Sequence, residues 1–446
     1  METPICDFID SYVKRGTVRL HMPGHKGKTF IGAEKYDVTE IRGADVLSCP
    51  KGIIAKSEKN AAATFGAAQT VYSTEGSTAS IKAMLYLACA YAKETGKNEV
   101  ILAARNVHKA FCDAAALLGF GIKWLYDEGG DLLSYSLTAQ TLEKKLSSMP
   151  VLPVAVYVTS PDYLGCVMDI KAFSAVCKKF GVLLLVDNAH GAYLKFLEED
   201  IHPMTLGADM CVDSAHKTLP CLTGGSYLHI KNGVNEVIGG YLDTARSLFY
   251  STSPSWPILY SLDKLNSYLA GDYGERLNRY VLHIDKLKAF LSGSGYDLKG
   301  SEKLKVTLCP KSYGYTGEEI SDILYNSGVE VEFADKDHVV MMFTPENGTK
   351  AVFTLKKVLA KIEKKKPISA AAPGLSPRKG VLSPRQAVLS LSEEIAVNDA
   401  IGRVFASSAV ACPPAVPLIV AGEEIDENAV GLFKYYGVEK CRVVKK

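Results

Sequence analysis

Apolar residues fall along the chain in two rhythms. Short runs, Glu99-Val-Ile-Leu-Ala, Val154-Ala-Val-Tyr-Val and Gly181-Val-Leu-Leu-Leu-Val-Asp, alternate with longer stretches of helical period such as Ser77 to Tyr91 and Ile170 to Phe180. The third run is apolar without a break, as expected of a strand covered on both faces in a parallel sheet. Strand and helix taking turns predicts an α/β domain over residues 31–260, preceded by an N-terminal arm at 1–30. Over 261–362 a charged helical stretch, Tyr273 to Leu291, and the alternation Val329-Glu-Val-Glu-Phe predict a smaller α+β domain. The pattern then breaks. Residues 363–387 are rich in Pro, Ser, Ala and Lys, the composition of a linker. Ser-Pro-Arg occurs there twice, and the second copy predicts a helix start with Ser383 as N-cap and Pro384 at the first helical position. Residues 388–446 remain as a small third domain.

Composition narrows the class. A chain of 446 residues, 47% hydrophobic and 22% charged, is long enough for an enzyme of two or three domains and too apolar for a disordered protein. A formal net charge of +2 gives no electrostatic reason to expect nucleic acid or an anionic membrane as partner. The start, METPICDFIDSYVKRG, does not read as a secretory signal, and no apolar run approaches the ~20 residues a spanning helix needs. Eleven cysteines without a CxxC pair fit reduced thiols in a cytoplasm better than disulfides, and no metal site is expected.

Four places carry candidate chemistry. Lys217 follows Asp209-Met-Cys-Val-Asp-Ser-Ala-His, and the stretch after it, Thr218 to Ser226, contains a proline, two threonines and a Gly-Gly pair but no charge. A lysine kept from water can act as an amine nucleophile toward an aldehyde. Asp187 ends the buried run GVLLLVD, where a carboxylate is costly unless it meets a cation or strong donors. Gly76, Ser77 and Thr78 open a helix and offer N–H groups and hydroxyls to a single phosphate. His108, after the strand run at 99–103, could lie on a planar ring. Each also has an ordinary reading: a solvated lysine, an N-cap aspartate, a Ser/Thr cap, a strand-end histidine.

Together they describe a site for pyridoxal 5′-phosphate. In this order they resemble the bacterial Orn/Lys/Arg decarboxylases of the aspartate aminotransferase fold. So do His21-Met-Pro-Gly-His-Lys-Gly, Asp37-Val-Thr-Glu, Thr159-Ser-Pro-Asp-Tyr-Leu-Gly, Ser251-Thr-Ser-Pro-Ser and Cys412-Pro-Pro-Ala-Val-Pro-Leu-Ile-Val-Ala-Gly-Glu. The chain looks like the shorter form of the family, with no receiver-like domain before HMPGHKG. The resemblance implies a fold type I large domain with a mostly parallel sheet, the smaller α+β domain and a C-terminal decarboxylase-family domain. It implies that Lys217 binds the cofactor's aldehyde, Asp187 keeps the pyridine nitrogen protonated and His108 stacks on the ring. Gly76, Ser77, Thr78, Ser214 and His216 would hold the phosphate, and His190 would line the site. Ser251 and Thr252 would reach the phosphate of a neighbouring subunit, so a homodimer is the minimum unit. The implied activity is decarboxylation of arginine, lysine or ornithine in polyamine biosynthesis.

Three segments depart from the family pattern. Asp187-Asn-Ala-His-Gly-Ala-Tyr stands where many members read Asp-Glu-Ala-His-Gly-Ala-His. Ile41-Arg-Gly-Ala-Asp-Val-Leu-Ser-Cys-Pro lacks a usual Asp-Asp pair and histidine. Cys412-Pro-Pro-Ala replaces Tyr-Pro-Pro-Gly. A basic substrate needs a carboxylate for its distal cation, for which Glu423 is the first candidate and Asp45 and Glu332 the next. The departures around Asp45, Asn188 and Tyr193 also leave open a cofactor-binding homologue with an altered reaction, aminotransfer or elimination, or a regulatory role.

Overall fold

The apolar runs become seven strands of one sheet: β1 (Gln69–Ser73), β2 (Val100–Ala104), β3 (Gly121–Leu125), β4 (Ala155–Thr159), β5 (Leu183–Asp187), β6 (Met210–Asp213) and β7 (Ser226–Ile230). The computed structural model describes residues 1–127, 132–408 and 415–446. Strand order is β1-β7-β6-β5-β4-β2-β3. β5 and β6 are parallel, with Asp187 opposite Val212, and β7 runs antiparallel to both β6 and β1. Every residue of β5 is buried, as its unbroken apolar run requires. Two compact units divide the chain: residues 1–101, 148–158 and 170–275, and residues 102–147, 159–169 and 276–446.

In the first unit, α1 (Pro4–Lys14) starts on a buried carboxylate: Asp263 Oδ2 accepts the N–H groups of Ile5 at 2.8 Å and Cys6 at 2.9 Å. From the arm, Nε2 of His25 lies 3.2 Å from Asp37 Oδ2, and within it His21 Nε2 lies 2.7 Å from the Tyr12 hydroxyl. α2 (Ile53–Phe65) follows the Asp45 loop, and α3 (Gly76–Glu94) fulfils the helix expected from Ser77 to Tyr91.

The second unit holds α4 (Lys109–Leu118) and a four-stranded antiparallel sheet of β8 (Asp297–Lys299), β9 (Lys305–Cys309), β10 (Phe333–Ala334) and β11 (Val339–Met342), in the order β10-β11-β9-β8. The strand expected over Val329–Phe333 shrinks to its last residue plus Ala334. Its alternation survives in burial, with Phe333 buried and Glu330 and Glu332 exposed, because an edge segment can set one side against a core without a ladder. The helix expected at Ser383 begins there: Ser383 Oγ accepts the Gln386 N–H at 3.2 Å, the Gln386 side chain accepts the Ser383 N–H at 3.0 Å, and Pro384 is the first helical residue. β12 (Ser392–Ala396) pairs with β13 (Lys440–Val444), and Phe405, Ile425, Leu432, Phe433 and Val443 pack into one core. Among the described residues no helix is long and apolar enough to cross a membrane, and no cysteine is in a disulfide.

Candidate active site

Lys217 sits on a single helical turn, Ala215–Thr218, directly after β6. Its Nζ is 3.0 Å from Nε2 of His190, which lies just past β5. The loop after each of these two parallel strands therefore brings one nitrogen to a shared point. Asp187, the last residue of β5, is 1% exposed. Its Oδ2 accepts the Tyr157 hydroxyl at 3.2 Å and its Oδ1 the Ala189 N–H at 3.2 Å. Burial pushes its carboxyl above the ordinary carboxylate range, and the Lys217 charge opposes that. Tyr157 was not among the residues expected here. It falls inside the run Val154–Val158, where a single polar tip among apolar neighbours is the signal that points to it.

The phosphate candidates converge at the start of α3. Gly76 has φ +73°, a conformation that disfavours a side chain, and donates its N–H to Gly224 O at 2.8 Å. A Cβ at Gly76 would meet nothing within 4 Å, so open space lies before the turn that bears Ser77 and Thr78. A Cβ at Gly224 would come within 2.6 Å of Thr74 O, which explains the glycine pair after Lys217 as a close backbone approach. No side chain caps α3. His216 donates from Nδ1 to Gly225 O at 2.9 Å, and Ser214 Oγ is buried without a hydrogen-bond partner. Ser251 and Thr252 are exposed, and the Ser251 N–H lies 3.3 Å from Oε1 of Glu75, the residue before Gly76. His108 belongs to the second unit, where it N-caps α4: its Nδ1 accepts the Ala110 N–H at 3.1 Å, which leaves the ring proton on Nε2.

The three carboxylates considered for a substrate cation fare differently. Asp45 is already filled: its two oxygens accept backbone N–H groups from Val46, Lys51, Gly52, Ile54 and Ala55 at 2.7–3.4 Å. Burial alone would raise its carboxyl, but these N–H groups hold it below the usual range. Asp45 therefore caps the start of α2. Asp45→Ala is expected to cost about 2–4 kcal/mol in a denaturant melt, since several donors lose one acceptor; an unchanged midpoint would refute the capping role. Glu423, in the second unit, is buried, accepts the Val420 N–H at 2.9 Å and lies 3.6 Å from Arg105 Nη2. Arg105 is wholly buried, donates to Pro417 O at 2.8 Å and Leu418 O at 3.3 Å, and lies over the Trp124 ring. Glu423 thus has an internal cation, with Oε1 still unpartnered. Glu332 is exposed, 3.4 Å from the Tyr163 hydroxyl, on a cleft of about 550 Å³ with Met341, Phe343 and Lys350. Cys412, Pro413 and Pro414 lie outside the described residues.

The first unit's donor set fits pyridoxal 5′-phosphate. A buried carboxylate with only neutral hydrogen-bond donors asks for a protonated ring nitrogen, an orphaned serine hydroxyl and an uncapped helix start ask for an anion, and the Lys217 amine beside His190 suits an aldehyde. The family model described as Orn/Lys/Arg decarboxylase, major domain, matches residues 3–309, and that for the C-terminal domain matches residues 373–440. The arginine decarboxylase of Bacillus subtilis is 29% identical over 97% of this chain and 93% of its own length. That of Halalkalibacterium halodurans is 28% identical over 96% and 92%. The structure of the constitutive lysine decarboxylase of Escherichia coli superposes with a TM-score of 0.76 at 18% identity, over 100% of this chain and 82% of that one.

Proposed function

The chain belongs to the Orn/Lys/Arg decarboxylase family and is a pyridoxal 5′-phosphate-dependent decarboxylase of basic amino acids; from that premise we propose that its substrate is arginine. What carries this choice is that the two arginine decarboxylases align along nearly their whole lengths as well as its own. The product amine would then serve polyamine biosynthesis.

When bound, the cofactor supplies an aldehyde for the substrate's amine and a ring that accepts the electron pair left by departing carbon dioxide. Lys217 would hold that aldehyde between turnovers. With His190 Nε2 at 3.0 Å, a proton can pass from Nζ to the imidazole, which leaves the amine neutral and nucleophilic. Asp187, its oxygens fixed by Tyr157 and Ala189, would keep the ring nitrogen protonated, an electrostatic effect strongest where water is excluded. Of the uncharged stretch after Lys217, Thr218, Leu219, Gly225 and Ser226 are buried and would contribute to such exclusion.

Ser214, His216 and the first turn of α3, Gly76 to Thr78, would receive the phosphate, with the helix dipole adding to the attraction. His108 would lie against the ring, its plane set by the bond from Ala110. Ser251 and Thr252 would complete the site of a second subunit in a homodimer. For the distal guanidinium, Glu423 keeps one carboxylate oxygen without a donor, the chemistry that a planar cation needs.

The test is to incubate cofactor-loaded protein separately with arginine, lysine and ornithine and to measure carbon dioxide and the amine by mass spectrometry. Arginine is expected to be favoured at least tenfold in kcat/KM, about 1.4 kcal/mol of discrimination. Preference for lysine or ornithine would overturn the choice of substrate. Loaded protein that leaves all three intact, or returns a keto acid, would favour the altered homologue that Asn188 and Tyr193 suggested.

A further inference from the structure

Behind the turn that bears Lys217, the first unit contains a closed polar network that none of these roles uses. Asp213, the last residue of β6, is 0% exposed. Its Oδ2 lies 3.0 Å from His202 Nε2 and 3.2 Å from His229 Nε2; its Oδ1 accepts Asn188 Nδ2 at 2.6 Å, with Cys211 Sγ at 3.7 Å. The opposite ring nitrogens settle the protons. His202 Nδ1 accepts the Met204 N–H at 3.3 Å, so that ring is neutral and donates from Nε2; burial lowers the pKa of His229, whose Nδ1 can accept the Thr70 hydroxyl at 2.8 Å, so it too is a neutral donor from Nε2. His202, Cys211 and Asp213 are close enough to share an ion, yet their ligand atoms are already spent on one another.

The network therefore fixes a buried anion with neutral donors. Its place is specific. β5 and β6 pair with Asp187 opposite Val212, so Asp213 stands one residue beyond, and Asn188, the next residue after Asp187, bonds to it. Asn188 is itself 0% exposed, and its N–H donates to Val212 O at 2.9 Å. The turn from Asp187 to His190 is thus held from below by one carboxylate. An amide suits position 188, because a second carboxylate 2.6 Å from Asp213 could not ionise beside it.

We propose that Asp213 is a positioning residue for the cofactor site, which holds the Asp187–His190 turn through Asn188 and adds a second fixed negative charge behind the one Asp187 presents to the ring nitrogen. This rests on the cofactor reading but not on the identity of the substrate. Two anions favour the protonated ring and the protonated link to Lys217 more than one does. The charge must be placed by neutral donors, since a buried cation at 202 or 229 would cancel it. His202 and His229 fill that role.

The experiment is a pH titration of the visible absorbance of the holoenzyme. Asp213→Asn is expected to bind the cofactor and to lower the titration midpoint by about one pH unit, with kcat reduced more than KM. Thr70→Val removes a hydrogen bond from the same network but no charge; it is expected to lower the melting temperature and leave the midpoint in place. A yellow Asp213→Asn protein with the wild-type midpoint would overturn the inference. If that variant does not fold, Asn188→Asp/Asp213→Asn keeps every donor and acceptor and moves the charge one strand across. A displaced midpoint in the double variant supports the inference and an unmoved one overturns it. Wild-type protein that takes up no cofactor would instead overturn the cofactor reading itself, a result told apart by its lack of colour.

Discussion

Lys217→Ala protein is expected to be colourless after incubation with pyridoxal 5′-phosphate and to release carbon dioxide from basic amino acids at least ~10³-fold more slowly than wild type. Alanine has no amine to bind the aldehyde or to regain it after product leaves. The substitution has a second effect. Asp187 is buried and its carboxyl is pushed up, a shift that the Lys217 charge opposes. Without that charge the folded-state pKa of Asp187 rises further. A raised carboxyl pKa means that the charged form is penalised in the folded state, so the penalty acts above that pKa and disappears as pH falls through it. The cofactor-free alanine variant should therefore lose stability at neutral pH and recover it on acidification. Lys217→Arg keeps a cation that cannot serve as the amine; it should restore neutral-pH stability and not turnover. Turnover in either variant would dismiss Lys217 as the anchor.

Asp187→Asn is expected to separate stability from activity in the same way, with opposite signs. The amide fills the same volume, its oxygen can accept the Ala189 N–H while its Nδ2 donates to the Tyr157 hydroxyl, and it carries no charge to desolvate. Cofactor-free Asp187→Asn should be more stable than wild type at pH 7 by about 1–3 kcal/mol, and the two curves should meet at acidic pH, where wild-type Asp187 is also neutral. In the loaded enzyme the order reverses, because the ring nitrogen loses its counter-charge. We expect turnover to fall by about 10²–10³-fold, comparable to loss of one preorganised electrostatic contact. Equal stability of both apo proteins across pH would contradict the buried, raised carboxylate. Unchanged turnover would contradict its role at the ring.

Local patterns carried much of this architecture. The N-cap at Ser383 was legible because its partners lie within three residues and are a Pro and a Gln. β5 was legible because two-sided burial leaves no polar position to misread. The site residues Lys217, Asp187 and His190 meet because parallel strands send their loops the same way, a consequence that strand-end positions already contain. Asp45 has its partners near in sequence, and a carboxylate before Gly52 and a helix start is a local capping signal. Glu423, Tyr157, His202 and His229 were of another kind. Their partners Arg105, Asp187, Asp213 and Thr70 lie on other elements, and no periodicity or local composition pairs residues across a sheet.

Arg105 has a consequence for how the protein is made. Its guanidinium is wholly enclosed, and its acceptors are the carbonyls of Pro417 and Leu418, with Glu423 beside it. A buried guanidinium without such partners is strongly unfavourable. On the ribosome, 312 residues separate Arg105 from Pro417, which is roughly 15 to 60 s of synthesis. Throughout that interval the position just after β2, three residues before His108, has a cation that must stay in water. The nascent chain therefore keeps this corner open until residues 417–423 emerge, and that segment is what finally shuts it.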